Sequence, residues 1–494
     1  MSVHWPIIRH LVTHPTRVAV VDDKRSYRGI DLLGASAHVS RAIKSESRAR
    51  HIGLMLPTSG AFPIAALAAW GSGRVIVPLN YLLKPAELQY VVDDSEIDAI
   101  VTVQPMLDFI GETPKGVKII KLDELSFKGL PPVSLPKKAA GDDLAALVYT
   151  SGTSGKPKGV MLSHGALKKN AEQGCQGLGL SAGDKMLGVL PQFHCYGMTQ
   201  LTLTPLMHGV PVVYTARFSP KKLMDLVKTH QATCLVGIPS MFNAIASLKS
   251  AGPEDVESLR LIVSGSEALP DAVFEKFHAK YGKPITEGYG MTEMAPATHC
   301  NLPENIRRHS VGRPLPGVEQ RIVDPANEGV LGVDTDGEIR LRGPNAMSGY
   351  WKLDDATREV FDGEGYYRTG DMGRIDAEGY LSITGRIKEM MIIGGENVFP
   401  VEIESVLNEH PSVSACGVTS VSDDTRGEAP IAFVELEEGE TAEPRELQAY
   451  CREHLAGCKV PKAVYVVEAL PRNATGKIMR KELKGMLPAE AAAG

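Results

Sequence analysis

The sequence predicts an α/β protein: a large N-terminal domain of α/β layers that includes a β-rich subdomain, then a small α+β C-terminal domain. Three observations predict it. Nearly continuous apolar runs alternate with helical stretches through the first three-quarters of the 494 residues, the pattern of largely parallel sheets covered by helices. From about residue 311 the runs shorten and alternate in polarity between glycines and aspartates, as antiparallel strands do. After residue 386 an amphipathic helix precedes two further strands.

In chain order, the apolar runs are "HIGLMLP" (51–57), "GRVIVPL" (73–79), "AIVTV" (99–103), "PVVYT" (211–215), "TCLVGIP" (233–239) and "LRLIVSG" (259–265). Helical stretches lie between them, such as "AFPIAALAAWGSG" and "SPKKLMDLVKTHQ", where Leu223, Leu226 and Val227 recur at helical spacing. "VEQRIVD", "GEIRLRG", "YYRTGDMGRID" and "GYLSITGRIKEMMIIGG" form the β-rich part. "PVEIESVLNEHPSV" then sets Ile403, Val406 and Leu407 on one helical face, opposite glutamates. "SACGVTSV" and "PIAFVEL" are expected strands, a helix-rich end follows, and the last residues, "PAEAAAG", have no apolar pattern to hold them. The expected domains are 1–385 and 386–494, and no fixed-period repeat is present.

Composition excludes several function classes. A formal net charge of −6 argues against a nucleic-acid partner. No apolar run approaches the roughly 20 residues of a membrane span, and the first residues lack the pattern of a signal peptide. Seven scattered cysteines without a Cys-x-x-Cys pair argue against zinc and against a disulfide framework. Free thiols predict a reducing, cytoplasmic setting.

The chemistry starts at "YTSGTSGKPKG" (149–159), which follows the apolar run Leu144–Val148. A surface turn would use these residue types. So would a phosphate cradle, in which glycines admit backbone N–H groups to an anion while hydroxyls and lysines add donors and charge. It is not a Walker A loop: Gly152 and Gly155 are three apart, and Pro157 follows Lys156. In "EGYGMTEMAP" (287–296), Tyr289 between two glycines can lie against a base, Thr292 can bond a phosphate oxygen, and Glu293 can hold Mg²⁺. In "YYRTGDMG" (366–373), Asp371 suits two vicinal ribose hydroxyls. Arg386 and Lys388 stand at the expected domain seam, ahead of Gly394 and Gly395. Lys477 follows a glycine in "LPRNATGKIMRKEL". Each of these also has a plain structural reading as a turn or a solvated charge.

In this order the motifs resemble the adenylate-forming superfamily, which holds acyl-CoA synthetases, peptide-synthetase adenylation domains and firefly-type luciferases; the resemblance runs from about residue 15 to 485. It implies a small C-terminal lid that rotates between two half-reactions, acyl-AMP formation from ATP and then acyl transfer to a thiol. It also implies roles. Thr150, Ser151, Gly152, Thr153, Ser154, Gly155 and Lys158 would cradle the β- and γ-phosphates. Thr292 would bond the α-phosphate and Glu293 would hold Mg²⁺. Gly265, Ser266 and Glu267 would lie on the adenine side, with Tyr289 against the base followed by Gly290 and Met291. Asp371 and Arg386 would hold the ribose. Lys388 would be the hinge, Lys477 the adenylation lysine, and Gly394 and Gly395 the glycines that pass a pantetheine arm.

"LPQFHCYGM" (190–198) resembles the acyl-side segment, where His194 would gate the carboxylate pocket. "GGENVFPVEIE" and "NAMSGYW" look most like fatty and other aliphatic acyl-CoA synthetases. The resemblance implies ATP, Mg²⁺ and coenzyme A as reactants, a small carboxylic acid, and CoA or an acyl carrier protein as acceptor, with a homodimer allowed. A nucleotide- or acyl-binding protein without turnover is the rival of another class, against which stand the aligned Lys477 and Glu293.

Overall fold

The structure is a computed structural model, which describes residues 2–132, 135–150, 156–423, 425–472 and 477–487. Two large mixed sheets dominate its first three-quarters. The nine-stranded sheet runs Arg313–Pro314, Ala297–Cys300, Thr286–Gly290, Leu261–Ser264, Cys234–Gly237, Met186–Gly188, Val212–Tyr214, Val18–Val21, Ser26–Arg28. Its six strands from Thr286–Gly290 to Val18–Val21 are parallel, and its edges are antiparallel. The seven-stranded sheet, from Gly349–Tyr350 through Lys158–Ser163 and Leu144–Thr150 to Lys118–Lys121, has a parallel interior and an antiparallel edge.

Parallel strands buried on both faces need apolar residues at consecutive positions, and His51–Met55, Val75–Pro78 and Ala99–Thr102 are buried along their whole length. Helix Ala61–Gly71 is apolar all round and buries nine of its eleven side chains, as expected of a helix inside a layer rather than on its surface. Trp70 anchors it by donating from Nε1 to the carbonyl of Ala145 at 2.9 Å.

The β-rich expectation corresponds to a four-stranded antiparallel sheet, Glu319–Val323, Gly337–Arg342, Tyr367–Ile375 and Leu381–Arg386. The C-terminal part is a five-stranded sheet of its own, with strands Val413–Asp423 and Gly427–Leu436 paired along their length and helix Pro400–Asn408 packed on them. Two sequence expectations need correction here. The end is not helix-rich: besides helix Pro444–His454 it contains strand Ala463–Val466, parallel to Gly427–Leu436, and the single turn Arg480–Leu483. Nor does helix Pro400–Asn408 keep all its glutamates in water. Glu404 is buried, accepts the Val418 N–H at 2.9 Å and pairs with Arg480 at 2.5 Å, because the strand packed on the helix leaves it a backbone donor.

Three buried imidazoles make the fold acid-sensitive. His4, beside Trp70 and His164, donates Nε2–H to the carbonyl of Lys137 at 3.1 Å, while His299 is fixed between Thr298 and Gln320. Burial lowers all three pKa values to about 4. The unfolded chain therefore binds protons between pH 6.5 and 4 that the fold refuses, so their contribution is complete above pH 6.5 and lost on acidification. At pH 5 the expected loss is about 2 kcal/mol per imidazole, seen as a fall of several degrees in the thermal midpoint relative to pH 7.5. An unchanged midpoint would contradict it.

Candidate active site

The site sits where ligands gather in open α/β sheets, beyond the carboxyl ends of parallel strands. Leu261–Ser264 and Thr286–Gly290 are neighbours, in register at Val263 with Thr286. Beyond the first, Gly265 passes so near Tyr196 that a Cβ would lie 2.9 Å from its hydroxyl, and Ser266 takes a left-handed φ of +73°, a conformation costly for a non-glycine residue. At the end of the second, Gly290 cannot carry a side chain, since its Cβ would meet the Pro296 carbonyl at 2.1 Å. Met291 N–H donates to that same carbonyl at 3.0 Å, closing a loop that buries Thr292. His194, Gly265, Ser266, Tyr289, Gly290, Met291 and Thr292 line one cavity of about 80 Å³.

Asp371 and Arg386 face each other across the hairpin Tyr367–Ile375 and Leu381–Arg386. Gly370, at φ +68°, turns the chain, and Thr369 Oγ1 accepts the Asp371 N–H at 3.0 Å while donating to the carbonyl of Ile339 at 2.6 Å. The carboxylate is buried and has two partners: Arg386 Nε at 2.7 Å on Oδ1 and the Tyr289 hydroxyl at 2.5 Å on Oδ2. Each oxygen keeps a second lone pair, so two more donors can be accepted without displacing either partner.

A second cluster joins residues that the sequence left unconnected. Strand Gly349–Tyr350 leaves the β-rich region and pairs with Lys158–Ser163 of the seven-stranded sheet. Tyr350 donates its hydroxyl to Glu293 Oε1 at 2.9 Å, and Lys158 Nζ stands 5.0 Å above its ring. Met347 N–H holds the Glu293 carbonyl at 2.8 Å. Thr150 pairs with Lys158 across the hairpin; Ser151, Gly152, Thr153, Ser154 and Gly155 lie outside the described residues. Tyr350 is a site candidate that sequence reasoning missed, since "NAMSGYW" carries no mark of the crossing between sheets.

The C-terminal part closes on this surface. Ile478 N–H donates to Glu267 Oε1 at 3.3 Å, which sets Lys477 beside Glu267. Burial first, then the charge of Arg386, lowers the Lys477 pKa; burial raises that of Glu267, opposed by Lys477. His194 is driven down to about 4 by burial and by Lys477, so the imidazole is neutral at pH 7. Its Nδ1 accepts the Tyr196 N–H at 3.3 Å, which assigns the remaining proton to Nε2.

Lys388 follows Arg386 in the single turn Ile387–Glu389 and is exposed. Gly394 and Gly395 are not brought to the cavity in this arrangement. They form the exposed hairpin turn between Met391–Ile393 and Glu396–Val398, with φ of +62° and +88°, the geometry of a type I′ turn.

Among the described residues no group of three or more His, Cys, Asp or Glu side chains could hold a metal. Mg²⁺ needs only one or two protein carboxylates when substrate phosphates supply the rest, so Glu293 fits an ion that arrives with a nucleotide.

A family model described as AMP-binding enzyme matches residues 8–351, and one described as AMP-binding enzyme C-terminal domain matches 402–477. The chain is 32% identical over 489 residues to a feruloyl-CoA synthase from Amycolatopsis sp, covering 98% of this chain and 96% of the relative. It is 31% identical over 480 residues to a long-chain-fatty-acid–CoA ligase of Bacillus subtilis (strain 168), covering 87% and 84%. The crystal structure of the anthranilate CoA ligase AuaEII in complex with anthranoyl-AMP superposes with a TM-score of 0.91 at 28% identity, covering 100% of this chain and 98% of that one. The chain belongs to the AMP-binding enzyme family, the adenylate-forming superfamily that its motifs resemble.

Proposed function

We propose that this site joins a carboxylic acid to ATP as acyl-AMP and then passes the acyl group to the thiol of coenzyme A. The observation that carries the reading is a convergence: the Asp371–Arg386–Tyr289 cluster, with its spare acceptor capacity, borders the same surface as Thr292, neutral His194 and the Lys477 ammonium. In the first step a carboxylate oxygen bonds to the α-phosphorus and the bond to the β-phosphate oxygen breaks, releasing pyrophosphate. In the second, sulfur bonds to the acyl carbon, AMP leaves with the bridging oxygen, and the thiol proton goes to a base.

The residue roles follow from charge and position. Asp371 accepts the ribose hydroxyls while Arg386 holds the carboxylate. Tyr289, Gly290 and Met291 flank the base opposite Gly265, Ser266 and Glu267. Thr292 bonds the α-phosphate, Glu293 would hold Mg²⁺, which would supply positive charge to the phosphates, and Thr150, Lys158 and residues 151–155 receive the leaving pyrophosphate. His194 donates from Nε2 to the acid's carboxylate, and Lys477 bridges carboxylate and phosphate. Most of the rate enhancement is then positioning and charge stabilisation. Residues 1–385 and 386–494 are the two domains, turning about Lys388 so that Gly394 and Gly395 replace Lys477 for thioester formation. Free cysteines support a cytoplasmic setting, and no described helix is long and apolar enough to cross a membrane.

The relatives' names cover feruloyl, anthranoyl and long-chain fatty acyl groups, so kinship leaves the acid open. Mass spectrometry on a reaction of ATP, Mg²⁺, CoA and acids from acetate to palmitate tests the reading. AMP and an acyl-CoA are expected together. AMP without acyl-CoA would move the acceptor to a carrier protein, and neither product would overturn ligase chemistry.

A further inference from the structure

Two residues on opposite sides of Lys388 in the chain, Gly385 before it and Phe399 after it, are packed face to face. Gly385 pairs with Met372 in the hairpin that presents Asp371 and Arg386. Its bare backbone is the surface on which the Phe399 side chain lies. A Cβ at position 385 would stand 2.5 Å from Phe399 Cγ and 2.9 Å from Phe399 Cβ. The ring could swing aside, but the Cβ could not. Phe399 is buried between buried Val398 and Pro400, and Pro400 restricts the residue before it to extended backbone, observed at φ −101° and ψ 135°. A methyl group on Gly385 would therefore displace the backbone that opens helix Pro400–Asn408, and the C-terminal sheet packed on that helix with it.

A second contact crosses to the same part of the molecule. Lys276, on helix Asp271–Tyr281, donates from Nζ to Glu437 Oε1 at 3.0 Å and to Asn243 Oδ1 at 3.1 Å. Glu437 is itself fixed at the end of strand Gly427–Leu436, where its N–H meets the Ser412 carbonyl at 3.0 Å. The two side chains stay 36% and 28% exposed, so this pair orients the C-terminal part more than it stabilises it.

We infer that Gly385 and Lys276 are positioning residues for adenylation: they seat Phe399 and Glu437, and so hold Lys477 over the site. The inference rests on the ligase reading above. A turn about Lys388 that exchanges Lys477 for Gly394 and Gly395 lifts Phe399 off Gly385 and parts Lys276 from Glu437. Both contacts belong to one arrangement only, and weakening them lowers its population without touching the residues that work in the other.

The test assays Gly385→Ala in each half-reaction: acyl-AMP formation without CoA, trapped as hydroxamate, and acyl-CoA formation from synthetic acyl-AMP. The acid is the member of the acetate-to-palmitate panel that gives the parent most AMP. Adenylation is expected to fall at least about 10-fold, thioester formation to stay at or above the parent rate, and AMP affinity by calorimetry to hold. Adding Phe399→Gly returns the space, and glycine is accepted at the residue before a helix, so the double variant should recover most of the lost adenylation. Damage confined to the hairpin would not be rescued from the other domain. Should Gly385→Ala not fold, the charge reversals carry the test: Lys276→Glu and Glu437→Lys should each slow adenylation about 5-fold, and together restore it. Parent-like adenylation, equal losses in both halves, lost AMP affinity or absent rescue would overturn the seat and leave the ligase reading intact. No hydroxamate from the parent with any acid would overturn both.

Discussion

Replacing Lys477 by alanine is expected to slow acyl-AMP formation by about 10²–10³-fold, the scale of removing one preorganised charge-stabilising donor. Thioester formation from preformed acyl-AMP should be almost unchanged. The asymmetry follows from geometry. In this arrangement the turn bearing Lys477 is docked on Glu267 through the Ile478 N–H, close enough to His194 for its charge to depress the imidazole. In the proposed mechanism an ammonium here would face the attacking carboxylate and the α-phosphate, whereas the second half-reaction would place Gly394 and Gly395 at the cavity instead. Single-turnover assays of each half, started from acid plus ATP or from synthetic acyl-AMP plus CoA, separate the two. Equal losses in both halves would end the assigned role. The lowered Lys477 pKa adds a signature. In the free enzyme the alkaline limb of kcat/KM for adenylation should fall below the 10.5 of an ordinary lysine, and Lys477→Ala should abolish that limb.

Much of this was legible in the chain because the motifs are local. Apolar runs became parallel strands because burial on both faces leaves no choice of residue type, and "YRTGD" placed Asp371 at a turn whose geometry needs only Thr369 and Gly370. Contacts made by pieces that change sheets were not legible. Nothing near "SGYW" announces that two residues cross to the seven-stranded sheet and bring Tyr350 to Glu293 and Lys158. Periodicity likewise put Glu404 among solvated glutamates, although a partner 76 residues away, Arg480, buries it as an ion pair. The buried amide pair Gln200–Asn170 escaped for the same reason: its members come from two helical elements, one of them a π-helical turn that leaves no pattern an α-helical period would detect.

Asp371 carries the second large effect. Asp371→Ala should weaken ATP binding by about 10²–10³-fold, and Asp371→Asn by about 10-fold. The ribose hydroxyls would each give a charge-assisted hydrogen bond to the carboxylate, worth about 1.5–3 kcal/mol apiece. The free protein also feels the loss. Alanine leaves the Arg386 guanidinium without its 2.7 Å counter-charge and the Tyr289 hydroxyl without its acceptor, and both groups then bias the empty site away from the arrangement that binds nucleotide. Asparagine keeps the shape and one carbonyl oxygen, so it retains a partner for Arg386 but cannot accept on both sides. Titration calorimetry with ATP reads the loss directly, and a thermal midpoint within a few degrees of the parent separates it from unfolding. AMP supplies the internal control. It shares the ribose but lacks the β- and γ-phosphates, so a ribose-directed carboxylate predicts the same fold-loss for AMP as for ATP. A loss confined to ATP would place Asp371 on the phosphate side, and unchanged affinity for both would remove it from the nucleotide site.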